Sequence, residues 1–428
     1  MKPTKTPTLQ LELDKLKACI HCGMCLPACP TYQVTGSEAE SPRGRLYLMK
    51  KLLEGEVSPQ SVRPHLEQCL ACHGCETVCP SGVKYGSLLL AAREDFSRQD
   101  YRFSRFFKRW VFKSVLPNHR LLLLMRQGLR LYQKSGLQWL VRKLSLLKPI
   151  STLAHQESLL PKIPSHRPLH AGLSFGNPSD EPVVLLLGCV MDALYNPIHW
   201  DTIEVLVANG YYVRIPEQVC CGALAHHAGE TDITRRLARQ NIDLMLKDHP
   251  QWLVVNSAGC GSTMKEYGHL LADDPLYGAK AAHFAAKVID VMDLLARKPL
   301  APMPTPVHET VTYHAACHLY HVQKVREQPI ALLKQVPGLT LVPLMDAEAC
   351  CGSAGIYNLE QPELSQDILA EKMSCIREVC ETQGVGTVAT GNPGCMLQLE
   401  KGVRDTGLPL NVQHPISILA RAYRTEKT

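Results

Sequence analysis

Long apolar runs are missing from this chain of 428 residues. The longest, Leu121 to Met125, is closed off by Arg120 and Arg126, far short of the ~20 residues needed to cross a bilayer, so no transmembrane segment is expected. The opening stretch MKPTKTPTLQLELDKLK has neither the apolar core of a secretory signal nor a twin-arginine run, and the expected setting is the reducing cytoplasm. Also lacking is a G-x-G-x-x-G turn opening a helix after a predicted strand, which argues against a dinucleotide site in this chain. Neither sign of charge dominates: 46 Lys and Arg against 40 Asp and Glu leave a net charge of +6. With no recognisable binding module either, nucleic acid is not an expected partner. At 45% hydrophobic and 20% charged residues the composition excludes disorder, and the length suits two or three domains.

Cysteine, by contrast, is abundant, with eighteen in all. In a reducing compartment so many thiols point to metal binding rather than disulfides. Eight form two copies of C-x-x-C-x-x-C-x-x-x-C-P: Cys19, Cys22, Cys25 and Cys29 before Pro30, and Cys69, Cys72, Cys75 and Cys79 before Pro80. Three thiolates on one tight turn can cap three corners of an iron-sulfur cube. The fourth, turned away, serves the other cluster, as in bacterial two-cluster ferredoxins. A zinc ribbon needs two separated pairs and has no use for the triplet or for the proline occurring twice in register. Two [4Fe-4S] clusters with crossed ligands are expected, Cys19, Cys22, Cys25 and Cys79 for one and Cys69, Cys72, Cys75 and Cys29 for the other. His21 and His73, inside the loops, are expected to tune polarity rather than ligate. Arg43 and Arg45 either offset cluster charge or form surface ion pairs. The period of Leu46, Leu48, Met49, Leu52 and Leu53 reads as a helix between the runs, so residues 1–97 are expected to be a helical, ferredoxin-like domain.

From Arg98 to Lys148, thirteen Lys or Arg residues face a single acid, Asp100, among Phe103, Phe106, Phe107, Trp110, Phe112 and Trp139. Two readings stay open: a helical connector whose apolar face packs on its own domains, or a surface for anionic lipid or an acidic partner subunit. A Pro-, Ser- and His-rich stretch over 161–182 ends this 98–182 segment as a linker.

The remainder is an internal duplication. VVLLLGC ending at Cys189, VCCG with Cys220 and Cys221, and WLVVNSAGCG with Cys260 are answered by VTYHAAC ending at Cys317, ACCG with Cys350 and Cys351, and TVATGNPGC with Cys395. The offsets between first, second and third members are 128, 130 and 135 residues, a steady period. Short apolar runs (183–187, 211–215, 253–256; 311–314, 339–344, 387–389) alternate with helical stretches (202–209, 233–247; 330–335, 363–381), which implies parallel sheets covered by helices. The expected fold class is α+β multidomain: the α-helical two-cluster ferredoxin domain, then two pseudo-symmetric α/β units with parallel sheets at 183–300 and 301–428. Each repeat cysteine follows a strand's carboxyl end, so each unit's four should converge in one crevice. Bound metal or a further cluster, redox-active thiols and a purely structural role all remain open there. His314, His318 and His321 are expected to be hydrogen-bonding or surface histidines. Cys375 and Cys380, out of register, are expected to be buried structural thiols.

The Cys-Cys-Gly repeat after a two-cluster domain resembles the heterodisulfide reductase-like family, which includes iron-sulfur subunits of anaerobic glycerol-3-phosphate, lactate and glycolate dehydrogenases. Members with unusual clusters in the repeat close it with C-x-x-C. Here Ser257 and Asn392 stand where the first cysteine of that pair would be, which puts such a cluster in doubt. Over residues 19 to about 420, CIHCGMCLPACPTYQ, SPRGRLYLMK, LEQCLACHGCETVCPSGVKYG, SAGCGSTMKEYG, ACCGSAGIYNL and the GNPGC turn look like the iron-sulfur subunits of glycolate oxidases. That resemblance implies flavin-bearing partner subunits that hold FAD and oxidise glycolate, in some cases D-lactate. It further implies electron delivery to a quinone or other acceptor in the membrane, on whose inner face the chain would be peripheral. Oxidation of a 2-hydroxy acid delivers two electrons as hydride while a cluster takes one. The chain is therefore expected to be an electron-transfer subunit of an oxidoreductase with no catalytic residue of its own. The alternatives are a thiol/disulfide oxidoreductase, the corresponding subunit of a D-lactate or glycerol-3-phosphate dehydrogenase, and an assembly scaffold.

Overall fold

A computed structural model describes residues 8–98, 102–147, 151–247 and 249–424. Asp100 and Lys148, which bound the charge count of the basic segment, lie outside these residues.

Helices alone make up the described part of the first 98 residues. The expected helix between the cysteine runs is Pro42–Leu53, started by Pro42 and capped by the Ser41 hydroxyl, which accepts from Gly44 N at 3.0 Å. Its apolar face, Leu46 and Met49, packs on Val62 and Leu66 of Pro59–Glu67 and on Leu88 and Leu89 of Tyr85–Ser97. The cysteine turns sit at the ends of this small core.

The connector is helical over Arg102–Trp110, His119–Lys134, Leu137–Lys143 and Ser151–Ser158, with a π turn at Val111–Val115. It is strapped to both repeats. Arg109 pairs with Glu230 and Asp232, Lys108 with Glu360 at 2.7 Å, and His155 Nε2 bonds to Asn358 O at 2.7 Å. Phe112 is buried against Ala225, Ile233 and Leu237. Only part of the apolar face packs inward, however, because Phe106, Phe107, Leu124, Leu131, Trp139 and Leu144 are exposed.

In the first unit, β1 (Ser174–Phe175), β2 (Glu181–Leu185), β3 (Tyr211–Arg214), β4 (Trp252–Val255) and β5 (Val288–Asp290) are ordered β1-β3-β2-β4-β5. All pairs are parallel except β1 with β3. In the second, β6 (Thr310–Tyr313), β7 (Thr340–Val342), β8 (Thr387–Ala389) and β9 (Asn411–Gln413) are ordered β7-β6-β8-β9 and are all parallel. Leaving β1 aside, the two orders are the same, so the duplication read in the sequence is a duplication of topology. One continuous core joins the units, running from Val183, Leu185 and Val213 to Val311, Ile416 and Leu419. It is closed by the packing of Pro197–Ala208 on Pro415–Tyr423.

Candidate functional site

Two residues with left-handed backbone shape each N-terminal cysteine turn. They are His21 (φ 55°) and Gly23 (φ 83°) around Cys22, and Ala71 (φ 51°) and His73 (φ 63°) around Cys72. Such reversals on either side of the middle cysteine aim three thiols at a common point. Cys19, Cys22 and Cys25 line one cavity together with Cys79 and with Cys75, which lines both cavities. Cys69, Cys72 and Cys75 line a second together with Cys29. Each triplet thus meets the fourth cysteine of the other run, and the donor set in each cavity fits a [4Fe-4S] cube. Cys22 is exposed, whereas Cys29, Cys69 and Cys75 are buried.

The two arginines take different roles. Arg45 is completely buried beside the second cavity, donating to Glu40 Oε2 (2.7 Å), Thr31 Oγ1 (3.0 Å) and His65 O (2.6 Å). Thr31 Oγ1 lies 3.2 Å from Cys29 Sγ. Burial opposes the Arg45 charge, but the thiols of Cys69 and Cys29, with Tyr85 and Glu40, raise its pKa overall, so it stays a cation there. Arg43 lines the first cavity and pairs with Glu38 at 2.6 Å near the surface. His73 is held by Glu76 Oε1 at 3.0 Å, and the same oxygen accepts from Gly86 N at 2.6 Å, bracing the second loop.

In each repeat the four cysteines converge as the strand order requires. The loops after β2, β3 and β4, and after β6, β7 and β8, meet at the carboxyl edge of the sheet, where the order reverses. Cys189 Sγ is 3.4 Å from Cys220 Sγ, and the line of interacting thiols continues through Cys221 to Cys260. Cys317, Cys350, Cys351 and Cys395 repeat it. The glycine after each Cys-Cys pair is left-handed, Gly222 at φ 84° and Gly352 at φ 86°; a Cβ on Gly352 would stand 2.5 Å from Ser365 O. Ser257 and Asn392 turn to the closing cysteines. Asn392 Nδ2 donates to Cys395 Sγ at 3.4 Å, and Ser257 is close enough to Cys260 to lower the pKa of its thiol. Asn392 Oδ1 also accepts from Gly259 N at 3.1 Å, tying the two crevices together.

The second cysteine loop docks on the second repeat. Cys72 and Leu70 pack with Cys317, Cys350, Tyr357 and Ile368 in one apolar patch. Tyr357 OH donates to Gln68 O at 3.0 Å, and Thr77 Oγ1 bonds to His321 Nδ1 at 2.9 Å. Burial pushes the Cys72 thiol well up, with Cys317 the foremost charge acting on it. Around this seam the rings of His73 and His318 lie 6.0 Å apart and those of His227 and His318 4.9 Å. Burial drives the pKa of His226 down to about 4 and that of His318 to about 3, so both are neutral.

His318 and His321 are hydrogen-bonding histidines, partnered by Cys317 Sγ at 3.4 Å and by Thr77 Oγ1 at 2.9 Å. His314 departs from expectation: it is not on the surface but wholly buried, and neither ring nitrogen makes a hydrogen bond of ordinary distance and angle. The turn that follows β6 carries it into the crevice. Cys375 and Cys380, expected to be buried, are half-buried on Pro362–Gln383, packed against the core of the second repeat. His226, His227 and Tyr357 drew no notice in the sequence because only the docking of distant segments gives them a role.

Paired cysteine-lined cavities on a helical domain, followed by duplicated thiol crevices, define an iron-sulfur electron-transfer protein. Family models agree along the chain: a 4Fe-4S dicluster domain at residues 15–83, the linker region of the glycolate oxidase iron-sulfur subunit at 103–160, and a cysteine-rich domain at 183–265 and again at 311–400. The chain is 37% identical to the probable glycolate oxidase iron-sulfur subunit of Bacillus subtilis, covering 93% of this chain and 91% of that protein. It is 31% identical to the glycolate oxidase iron-sulfur subunit of Escherichia coli, over 97% and 96%. Lactate utilization protein A of Shouchella clausii is 30% identical over 55% of this chain and 98% of its own length. The chain belongs to the glycolate oxidase iron-sulfur subunit family.

Proposed function

We propose that this chain is the one-electron segment of a flavin-dependent glycolate dehydrogenase complex. Cys19, Cys22, Cys25 and Cys79 would hold one [4Fe-4S] cluster, and Cys69, Cys72, Cys75 and Cys29 the other. The observation that carries this reading is the pairing of each cysteine triplet with the other run's fourth cysteine around its own cavity. Two such clusters supply single-electron acceptors, which an oxidation that releases a hydride pair needs downstream of its flavin. The residues of the chain set the conditions: Arg45 supplies buried positive charge beside the thiolates, and the packed histidines at the seam around Cys72 and Cys317 keep water out. The exposed Cys22, with Ile20 and Met24 exposed beside it, suits the first loop to face a flavin-bearing partner. Glycolate is the substrate favoured by the near full-length relatives, with D-lactate second. The thiol/disulfide reductase reading is less well supported, since Cys220, Cys221, Cys350 and Cys351 are all buried.

The connector supports a membrane-linked acceptor. No acidic residue occurs between Asp100 and Glu157, and the helix His119–Lys134 is inside out: Arg126 is buried, donating to Pro164 O, while Leu124 and Leu131 are 63% and 69% exposed. Leucine and Trp139 facing outward on a segment rich in cations, Arg142 among them paired with Glu157 at 3.0 Å, suit the headgroup boundary of an anionic bilayer. Among the described residues no helix is long and apolar enough to cross one.

The test is a complex assembled with and without this chain. Without it, glycolate should still reduce bound flavin but no longer a quinone, and full quinone reduction would overturn the proposal. Iron analysis of the intact chain should give about eight irons with matching acid-labile sulfide.

A further inference from the structure

The two repeats are built alike but lined differently. Three residues before the first cysteine of each stands Leu186 in one and His314 in the other. Leu186 belongs to the apolar core of its unit. His314, at the matching place after β6, is 0% exposed, and neither Nδ1 nor Nε2 makes a hydrogen bond of ordinary distance and angle, although the Ala347 backbone is close enough to act on the ring. Leaving a buried polar group unpaired is unfavourable, and in the first repeat a leucine fills this position without that cost.

What the ring faces is sulfur. A ring nitrogen of His314, Cys351 Sγ and Cys395 Sγ all lie within 4.8 Å of one another, and all three residues are buried. Tetrahedral zinc sets its sulfurs about 3.8 Å apart, so closing around an ion asks for a small contraction. An outer partner is also in place: Asn392 Nδ2 donates to Cys395 Sγ at 3.4 Å. No comparable group forms in the first repeat among the described residues.

We propose that the second repeat, and not the first, binds one divalent thiophilic ion through His314, Cys351 and Cys395. Imidazole with two thiolates is a zinc-type donor set. The two thiolates cancel the ion's charge, so no net charge is buried at the site. The fourth position is open to water or to Cys350, whose thiol adjoins Cys351. The first repeat keeps four thiols without imidazole, and the symmetry of the duplication is broken at one residue. The assignment stands apart from the electron-transfer reading, because it is measured as metal content.

The experiment is zinc and iron analysis of the full chain, produced with added zinc chloride and with its iron-sulfur clusters intact. The wild type should hold about one zinc beside about eight irons. Its zinc absorption edge should show a mixed shell, with nitrogen at about 2.0 Å and sulfur at about 2.3 Å. His314→Leu, which installs the first repeat's residue, should lower zinc by roughly tenfold or more while iron, sulfide and far-UV spectrum stay unchanged. Cys260→Ser, in the first repeat, should leave zinc in place. A wild type without zinc, a shell of sulfur alone, zinc retained in a folded His314→Leu, or iron well above eight would each overturn the proposal. The absorption measurement needs no variant, so it decides the matter even if His314→Leu does not fold.

Discussion

The buried Arg45 shows how one side chain supports a cysteine cavity. Its planar fork reaches Glu40, Thr31 and the carbonyl of His65 at once, and Thr31 in turn touches Cys29 Sγ. Lysine cannot span those three acceptors. Arg45→Met would leave the Glu40 carboxylate, 7% exposed, with the His65 ring but without the guanidinium, and removing one partner of a buried pair costs about 3–5 kcal/mol. Urea unfolding of the variant should show a loss of that size with iron lost from the second cavity, and Arg45→Lys should recover only part of it. A change below about 1 kcal/mol would assign the arginine no such role. From sequence alone Arg43 and Arg45 were equivalent, two cations after a serine. Only the packing of Pro42–Leu53 puts one inside and the other at the rim. His314 has the same history, because its neighbours in the crevice come from β7 and β8 loops tens of residues away.

The connector helices carry their chemistry on the outside. Exposed side chains contribute little to folding, so replacing Leu124, Leu131 and Trp139 by glutamate should leave the far-UV spectrum and the unfolding midpoint near those of the wild type. The same change removes three apolar contacts and adds three repulsive charges at a lipid surface. Sedimentation with vesicles containing anionic phospholipid should then fall by roughly tenfold or more, and binding of the wild type should weaken as salt is raised. Equal binding by variant and wild type would return this face to a protein partner. How well elements could be read from sequence follows their length. Runs with clear periodicity, such as Pro362–Gln383 and the strands β2, β3, β4, β6 and β8, lie where their patterns put them. β1 and β9 escaped because neither has a buried residue or forms an apolar run: β1 is only Ser174–Phe175, and Asn411–Gln413 is polar at both ends. Val288–Asp290 sits in an apolar stretch that continues as helix on both sides, and its pairing with β4 comes from tertiary structure. The π turns at Val111–Val115 and His318–Val322 likewise have no sequence signature.

The whole molecule is held together at seams where imidazoles are kept dry, and that arrangement sets its response to pH. His414 bonds to Asn256 O at 3.0 Å and His199 to Asn256 Nδ2 at 3.1 Å where the two repeats meet. His226 and His227 lie where the first repeat approaches the ferredoxin-like domain. Burial lowers His199 and His226 to about 4 and His414 to about 3, and lowers His227 as well. In the unfolded chain each would titrate near 6.5. Above that value both states are neutral and stability is complete. As pH falls from about 6.5 toward 4 the unfolded state takes up protons that the folded state refuses, and stability is lost. Asp290 and Glu400 act in the opposite sense: burial raises both to about 7, so their contribution is complete below about 4 and lost as pH rises through 7. His318 and His321, lowered to about 3 and about 4 at the other seam, add to these four, so the histidines outnumber the two carboxyls and unfolding takes up protons near pH 5.5. Urea midpoints followed by tryptophan fluorescence should therefore drop steeply between pH 6.5 and 5, and a midpoint that held level or rose on acidification would contradict the account. Replacing His199 and His414 by asparagine should flatten the slope even while it lowers stability at pH 7.5. Loss of a seam contact by itself would shift the midpoint equally at every pH and leave the slope alone.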